Sequence, residues 1–144
     1  MLRFRSAVLI PLFVAAVGQA AAQDFPTAPP KLKEAEAQGL QRVGIDELKQ
    51  FIPGTLDTRG TRGTHMKTLN ADGTAHREGI GIKESDGTWR FDEKNNAFCN
   101  TFREKKGEKE FCFAVFRAPD GIHYFNYETD TGFYSHAWRS VNGK

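Results

Sequence analysis

The sequence predicts a mainly β protein: a small antiparallel meander, or up-and-down β-barrel, of seven or eight strands with a short N-terminal helix. Two observations carry this. Turn signals recur at short intervals: Asp72-Gly73, Asp86-Gly87, Lys106-Gly107, Asp120-Gly121 and Asp130-Thr131-Gly132. Between them lie runs of strand length: His65 to Asn70, Thr74 to Ile82, Thr88 to Asp92, Phe98 to Arg103, Lys109 to Arg117, Ile122 to Tyr127 and Phe133 to Arg139, with a weaker run at Thr55 to Thr58. Asp-Gly between apolar or β-branched residues marks a hairpin, because glycine supplies the positive φ that tight turns need. Short strands joined this way pair with their neighbours. They bury one face by closing into a barrel or by curling into a half-barrel shut by the helix; a two-sheet sandwich is the alternative.

The N-terminus reads as an export signal. Arg3 and Arg5 form a basic start, Ala7 to Val17 is apolar, and Ala20-x-Ala22 fits the small-residue cleavage rule. The apolar run is shorter than the roughly 20 residues of a spanning helix. The expected organisation is a signal peptide at 1–22, an extended and partly helical leader at 23–43, and one β-domain at 44–144. No cysteine lies near the cut, so a lipid anchor is not expected, and no transmembrane anchor remains after cleavage. The full chain carries 20 Lys+Arg against 18 Asp+Glu, and losing Arg3 and Arg5 leaves the two signs balanced. A neutral domain offers no electrostatic footprint for nucleic acid. A periplasmic or secreted monomer is expected.

Within the leader, Pro26, Pro29 and Pro30 favour extended chain. Lys31 to Gln38 consists of good helix formers and stops at Gly39, but its apolar face is thin, which predicts loose attachment. Gly44 to Ile52 reads as a better helix. Ile45, Leu48, Phe51 and Ile52 fall on one face and Pro53-Gly54 ends it. That face must cover something, so the helix is expected to plug or flank the sheet.

Cys99 and Cys112 are the only cysteines, and an exported chain is expected to pair them. A turn centred on Lys105-Lys106 sets Cys99 opposite Cys112, Arg103 opposite Glu108 and Phe98 opposite Phe113. An ion pair, an aromatic pair and a disulfide then agree on one register. The opposite face of the hairpin carries Phe98, Phe102, Phe111, Phe113 and Val115.

The motifs Leu48-x-x-Phe51-Ile52-x-Gly54-Thr55, Asn70-Ala71-Asp72-Gly73-Thr74, Asp86-Gly87-Thr88-Trp89-Arg90-Phe91, Phe98-Cys99-Asn100-Thr101-Phe102 and Phe111-Cys112-Phe113-Ala114-Val115 span Ile45 to Arg139 with the closing Tyr/Trp-rich strand. In this the chain resembles an uncharacterised group of small exported proteins, mostly alphaproteobacterial. The resemblance implies a periplasmic β-domain and brings no activity or catalytic residue. Gly87-Thr88-Trp89 with Trp138-Arg139 is also similar to the Gly-x-Trp and late-strand arginine of lipocalin-like barrels, although that motif lies on the first strand there and mid-chain here. This implies architecture only.

No motif names a reaction. His65, His76, His123 and His136 form no His-x-His or His-Glu-x-x-His. A symmetric last hairpin would set His123 opposite His136, but Gly132 predicts a longer or bulged turn. Two ligands are in any case too few for zinc, so no metal or other cofactor is expected. The acids lie mostly in or beside turns, and Ser135 and Ser140 lack a nucleophile setting. The aromatic supply exceeds one core. Alternation sets Tyr124 opposite the Phe125 face, and Tyr134, His136 and Trp138 opposite the Phe133 face. With Trp89, the residues Tyr124, Tyr134 and Trp138 are the candidate ligand-binding set, because tyrosine and tryptophan join an apolar body to a polar tip. The rival reading buries them all as core, or under the helix. The function expected is a non-enzymatic binding or interaction protein for a small apolar or aromatic ligand or an envelope protein. The alternatives are an inhibitor of an envelope-acting hydrolase, with a filled barrel and protruding loops, and a small enzyme.

Overall fold

A computed structural model describes residues 31–60, 63–104, 106–129 and 132–141. The segments expected to form a signal peptide and the proline-rich start of a leader lie outside these residues. Two short helices, α1 (Leu32–Ala37) and α2 (Ile45–Leu48), precede eight strands: β1 (Gly54–Gly60), β2 (Gly63–Leu69), β3 (Thr74–Gly79), β4 (Ser85–Asp92), β5 (Ala97–Glu104), β6 (Gly107–Arg117), β7 (Tyr124–Glu128) and β8 (Tyr134–Ser140). Each strand pairs antiparallel with the next, and β8 returns to β1 through Thr58↔Trp138 and Gly60↔His136. The barrel is therefore closed, and neither half-barrel nor sandwich. Closure leaves no free lateral edge along the paired stretch.

The β5–β6 register matches the sequence expectation: Phe98↔Phe113, Cys99↔Cys112 and Arg103↔Glu108. A disulfide joins Cys99 to Cys112. Beside it on the outer face, Arg90 holds Glu110 with two bonds of 2.8 Å. β6 runs from residue 107, but β7 pairs only with Phe113 to Arg117. The tip of the β5–β6 hairpin therefore projects past β7.

One apolar cluster fills the barrel. It joins Leu56, Leu69, Ala75, Phe98, Phe102, Phe113, Val115, Tyr124 and Trp138 to Val43, Leu48, Phe51 and Ile52. The last four come from α2 and its flanks, so this segment plugs one end, as its one-sided apolar pattern predicts. The helix is shorter than the 44–52 span read from the sequence. After Leu48 the backbone tightens to i→i+3 bonds at Gln50 and Phe51. Pro53 then disfavours helical geometry at Ile52. Gly44 offers no side-chain cap; Asn96 Oδ1, from the β4–β5 turn, accepts the Ile45 N–H at 3.1 Å instead. Arg42 donates to the Asn95 carbonyl of the same turn at 2.9 Å.

A second cluster lies outside the barrel. Ala114, Phe116, Phe125, Tyr127 and Ala137 are covered by Ala35, with Leu32, Leu40 and Tyr134 packed beside them. Here the expectation of a loosely attached first helix is corrected. Ala35 is fully buried, and residues 41–43 continue the sheet, Val43 N–H donating to Val115 and Arg117 N–H to Gln41, each at 2.8 Å. The reason is the aromatic outer face of β6–β8, which needs a cover that a thin, alanine-bearing helix can supply by close approach.

Candidate functional site

The four aromatic candidates are not brought together. Tyr124 and Trp138 stack inside the barrel with ring centroids 4.6 Å apart, and Phe51 of the plug packs on Tyr124 at 5.3 Å. Trp138 is 1% exposed, and its indole N–H donates to Asn126 Oδ1 at 2.6 Å. Trp89 also faces inward, half-buried against Phe91, with its indole N–H on the Asn70 carbonyl at 2.8 Å. Tyr134 is on the other side of the wall. The β7–β8 register shifts between Asn126 and Tyr127, so Asn126 faces His136 while Tyr127 faces Tyr134. Ser135 is the extra residue of this bulge, and it reverses the face of everything before it. Tyr134 therefore leaves the side of His136 and Trp138 and joins Phe125 (5.8 Å) and Tyr127 (6.0 Å) outside.

The same register settles the histidines. His123 lies with Asp120 (2.9 Å) and Phe125 (5.1 Å) and does not face His136. His136 turns inward and meets His65 edge to face at 5.6 Å. Gly60 permits this: a Cβ there would stand 2.8 Å from the His136 ring. The grouping of Asp92 with Cys99 and Cys112 offers no metal site, because the two sulfurs are spent in the disulfide.

What the structure does bring together is a set of cations at the end opposite the plug. His65, Lys67 and Leu69 alternate inward along β2, and Lys67 pairs across the sheet with Arg77 of β3. Arg77 lies over the Phe102 ring at 4.4 Å, and the Lys67 ammonium stands 5.8 Å from the same ring. Lys67 is 3% exposed. Among the described residues no carboxylate lies within ion-pair distance of it. Arg77 is better served: Glu104 accepts from Nη2 at 2.9 Å and Ser85 Oγ from Nε at 2.8 Å. Glu128 takes an inward position across the barrel, opposite Phe113.

Burial, reinforced by Arg77, pushes the Lys67 ammonium down to about 8. Burial, then Lys67 and Arg77, holds His65 down at about 4 despite the opposing pull of Asp57. The same influences hold His136 well below its ordinary value. Both imidazoles are therefore neutral at pH 7, and two cations remain beside them. Such surroundings repel a metal ion and attract an anion. Two buried polar atoms in this interior, Asn100 Nδ2 and His65 Nδ1, have no hydrogen-bond partner. Two surface depressions open at this end. One, of about 320 Å³, is lined by Thr64, His65, Met66, Glu78, Gly79 and Ile80. The other, of about 480 Å³, runs from Lys83 to Thr88 with Arg103 and Glu108. Neither touches Trp89, Tyr124, Tyr134 or Trp138.

Sequence reasoning missed Lys67 and Arg77. A signal was present: period-two alternation places Lys67 on the face of Leu69. Met66 on the other face of the same strand hid which side was inner. No protein family, curated protein or solved structure matches this chain. The fold and site define its class on their own: a closed eight-stranded barrel, plugged by an apolar segment at one end and bearing a buried lysine beside a half-buried arginine toward the other.

Proposed function

We propose that this chain is an exported, non-enzymatic binding protein of the periplasm or extracellular space, and that it engages its partner through the barrel end opposite the plug. One observation carries the reading: toward that end a buried lysine, Lys67, with no carboxylate within ion-pair distance among the described residues, shares the interior with two buried polar atoms that make no hydrogen bond, His65 Nδ1 and Asn100 Nδ2. Such groups cost stability in the free protein, and a ligand that satisfies them recovers it. The disulfide fits an oxidising compartment. No described helix is long and apolar enough to cross a membrane.

The inhibitor reading has its own support. The barrel is filled, and the β5–β6 hairpin projects beyond β7 with the disulfide bracing its base. Both readings use the same end of the molecule. An enzyme has less support. Ser135 Oγ lies 2.9 Å from His136 Nδ1, but it also donates to the Asn126 carbonyl, and the imidazole has cations and not a carboxylate for neighbours.

The test is amide NMR of the mature protein titrated with fractionated small molecules and proteins from the compartment it is exported to. Shifts should gather on residues 63–67, 77–87 and 102–109. Shifts confined to α2 and the β7–β8 aromatics, or turnover of a component, would sink the proposal.

A further inference from the structure

The open end contains a stand-in for its own ligand. Glu104 is the last residue of β5 and pairs with Gly107, the first of β6. Its side chain reaches back to Arg77 and keeps 42% of its surface in solvent. An ion pair that exposed has little net worth, so the carboxylate is held loosely. It also neutralises the wrong share of the charge. Arg77 has two partners, Glu104 and Ser85, whereas Lys67, its cross-strand neighbour and the more deeply buried cation, has none among the described residues. The two cations flank one aromatic ring, Phe102. Gly87 lets that ring lie close to β4: a Cβ there would stand 2.8 Å from Phe102 Cδ1. Asn100, two residues along the same inward face, adds a buried amide N–H with no acceptor.

Resting on the proposed binding role of this end, we infer that the ligand presents a carboxylate, which takes the place of Glu104 on Arg77 and bridges it to Lys67 beside Phe102. Arg77 offers a planar fork that suits a carboxylate, and Lys67 offers a point charge on the adjacent strand. Burial of Lys67 and partial burial of Arg77 make the attraction stronger than at the surface, and a ligand carboxylate that reaches Lys67 leaves fewer unsatisfied donors than Glu104 does. Glu104 then returns to solvent. Ile80, in the β3–β4 turn at the rim, is 81% exposed and gives apolar contact for the body of the ligand. The carboxylate has two possible sources, a free organic acid or the acidic side chain of a partner protein.

The experiment uses the mature, disulfide-bonded protein and follows the Lys67 and Arg77 side-chain signals by NMR. The probes are sodium acetate, sodium benzoate, its neutral isostere benzamide, and capped tripeptides carrying one glutamate or one glutamine. Benzoate or the glutamate peptide should give saturable shifts at Lys67 and Arg77, while benzamide and the glutamine peptide should not. Glu104→Gln, a rim change that spares the core, should tighten binding by about tenfold, and Lys67→Met, which keeps the volume, should weaken it by at least about tenfold. Thermal melts confirm that both variants fold. Preference for the free acids identifies a small-molecule ligand; preference for the glutamate peptide identifies a partner protein. If no carboxylate binds even in Glu104→Gln, or if Glu104→Gln leaves affinity unchanged, the inference is overturned. If benzamide shifts the open-end signals as well as benzoate does, the carboxylate is overturned while the open end stands as the binding end. Shifts only elsewhere in the barrel remove both.

Discussion

The two ends of the barrel are made by the same eight strands and closed in opposite ways. At the plugged end, Phe51 and Ile52 lie on stacked Tyr124 and Trp138, and the polar tip of Trp138 is bonded to Asn126. The charge of Arg117 is met there by Glu47 of α2, although its buried Nε makes no bond of its own. At the open end, Lys67 is 3% exposed and has no carboxylate within ion-pair distance among the described residues. The contrast separates two uses of burial. One end spends its sequence on packing, and the other holds charge at a cost that packing has to offset.

The largest effect is expected from the plugged end. Trp138→Ala removes a fully buried ring that stacks on Tyr124, and should cost about 3–5 kcal/mol in urea unfolding. It should leave the Arg77–Glu104 pair intact. A cost under about 1 kcal/mol would mean that the plug is not part of the cooperative core.

The disulfide comes next. Replacing Cys99 and Cys112 by alanine together should lower stability by about 3 kcal/mol, because the crosslink restricts the unfolded chain. The loss should appear in unfolding by urea without a change in the closed topology. Reactive thiols in denatured, unreduced protein would show that the bond is not made.

At the open end the sign reverses. Lys67 falls from its ordinary value near 10.5 to about 8, which corresponds to roughly 3 kcal/mol against its charged form. Lys67→Met should therefore stabilise the protein at pH 7, by about 1–3 kcal/mol after relaxation. The pH dependence follows from the same shift. Between about 8 and 10.5 the unfolded chain holds a proton that the folded one has released. Wild-type stability from this group thus rises with pH across that window, and the advantage of Lys67→Met fades. The histidines act at the acid side. The unfolded chain takes up protons near 6.5, but folded His65 only near 4, with His136 also held low. Stability from these groups is present above about 6.5 and is lost as pH falls toward 4. Denaturation midpoints measured from pH 4 to 10.5 check both limbs; a flat acid limb would mean that the histidines are not buried neutral.

How much of this was legible in the sequence differs between the same two ends. The strands and the β5–β6 register followed from local signals, because turn residues and cross-strand pairs act within a few residues. The plug was also legible, since Leu48, Phe51 and Ile52 share one helical face wherever they dock. The open end was not. Which side of β2 is inside depends on how β1 and β8 close the barrel, and strand alternation alone leaves two choices when both faces carry apolar residues. The outer cluster was hidden in a similar way. Leu32, Ala35 and Leu40 are too few to announce a docked segment, and the aromatics they cover are far along the chain.

The smallest effect sharpens that lesson. Tyr134 was grouped with Tyr124 and Trp138 by alternation, and the Ser135 bulge places it outside, beside Tyr127 and under the α1 region. It is only half-buried there, so Tyr134→Ala should cost about 1–2 kcal/mol, well below a core truncation of the same size. Its ring is separated from Lys67 and Arg77 by the barrel wall. Carboxylate binding at the open end should therefore be unchanged in Tyr134→Ala when measured at a temperature where the variant is fully folded. The cost should also depend on the cover: with Leu32→Ala added, the two losses should sum to less than their separate values, since each exposes surface that the other had sealed. Loss of carboxylate binding in Tyr134→Ala, at unchanged stability, would put Tyr134 back on the inner face and with it the bulge that sets His136 beside His65.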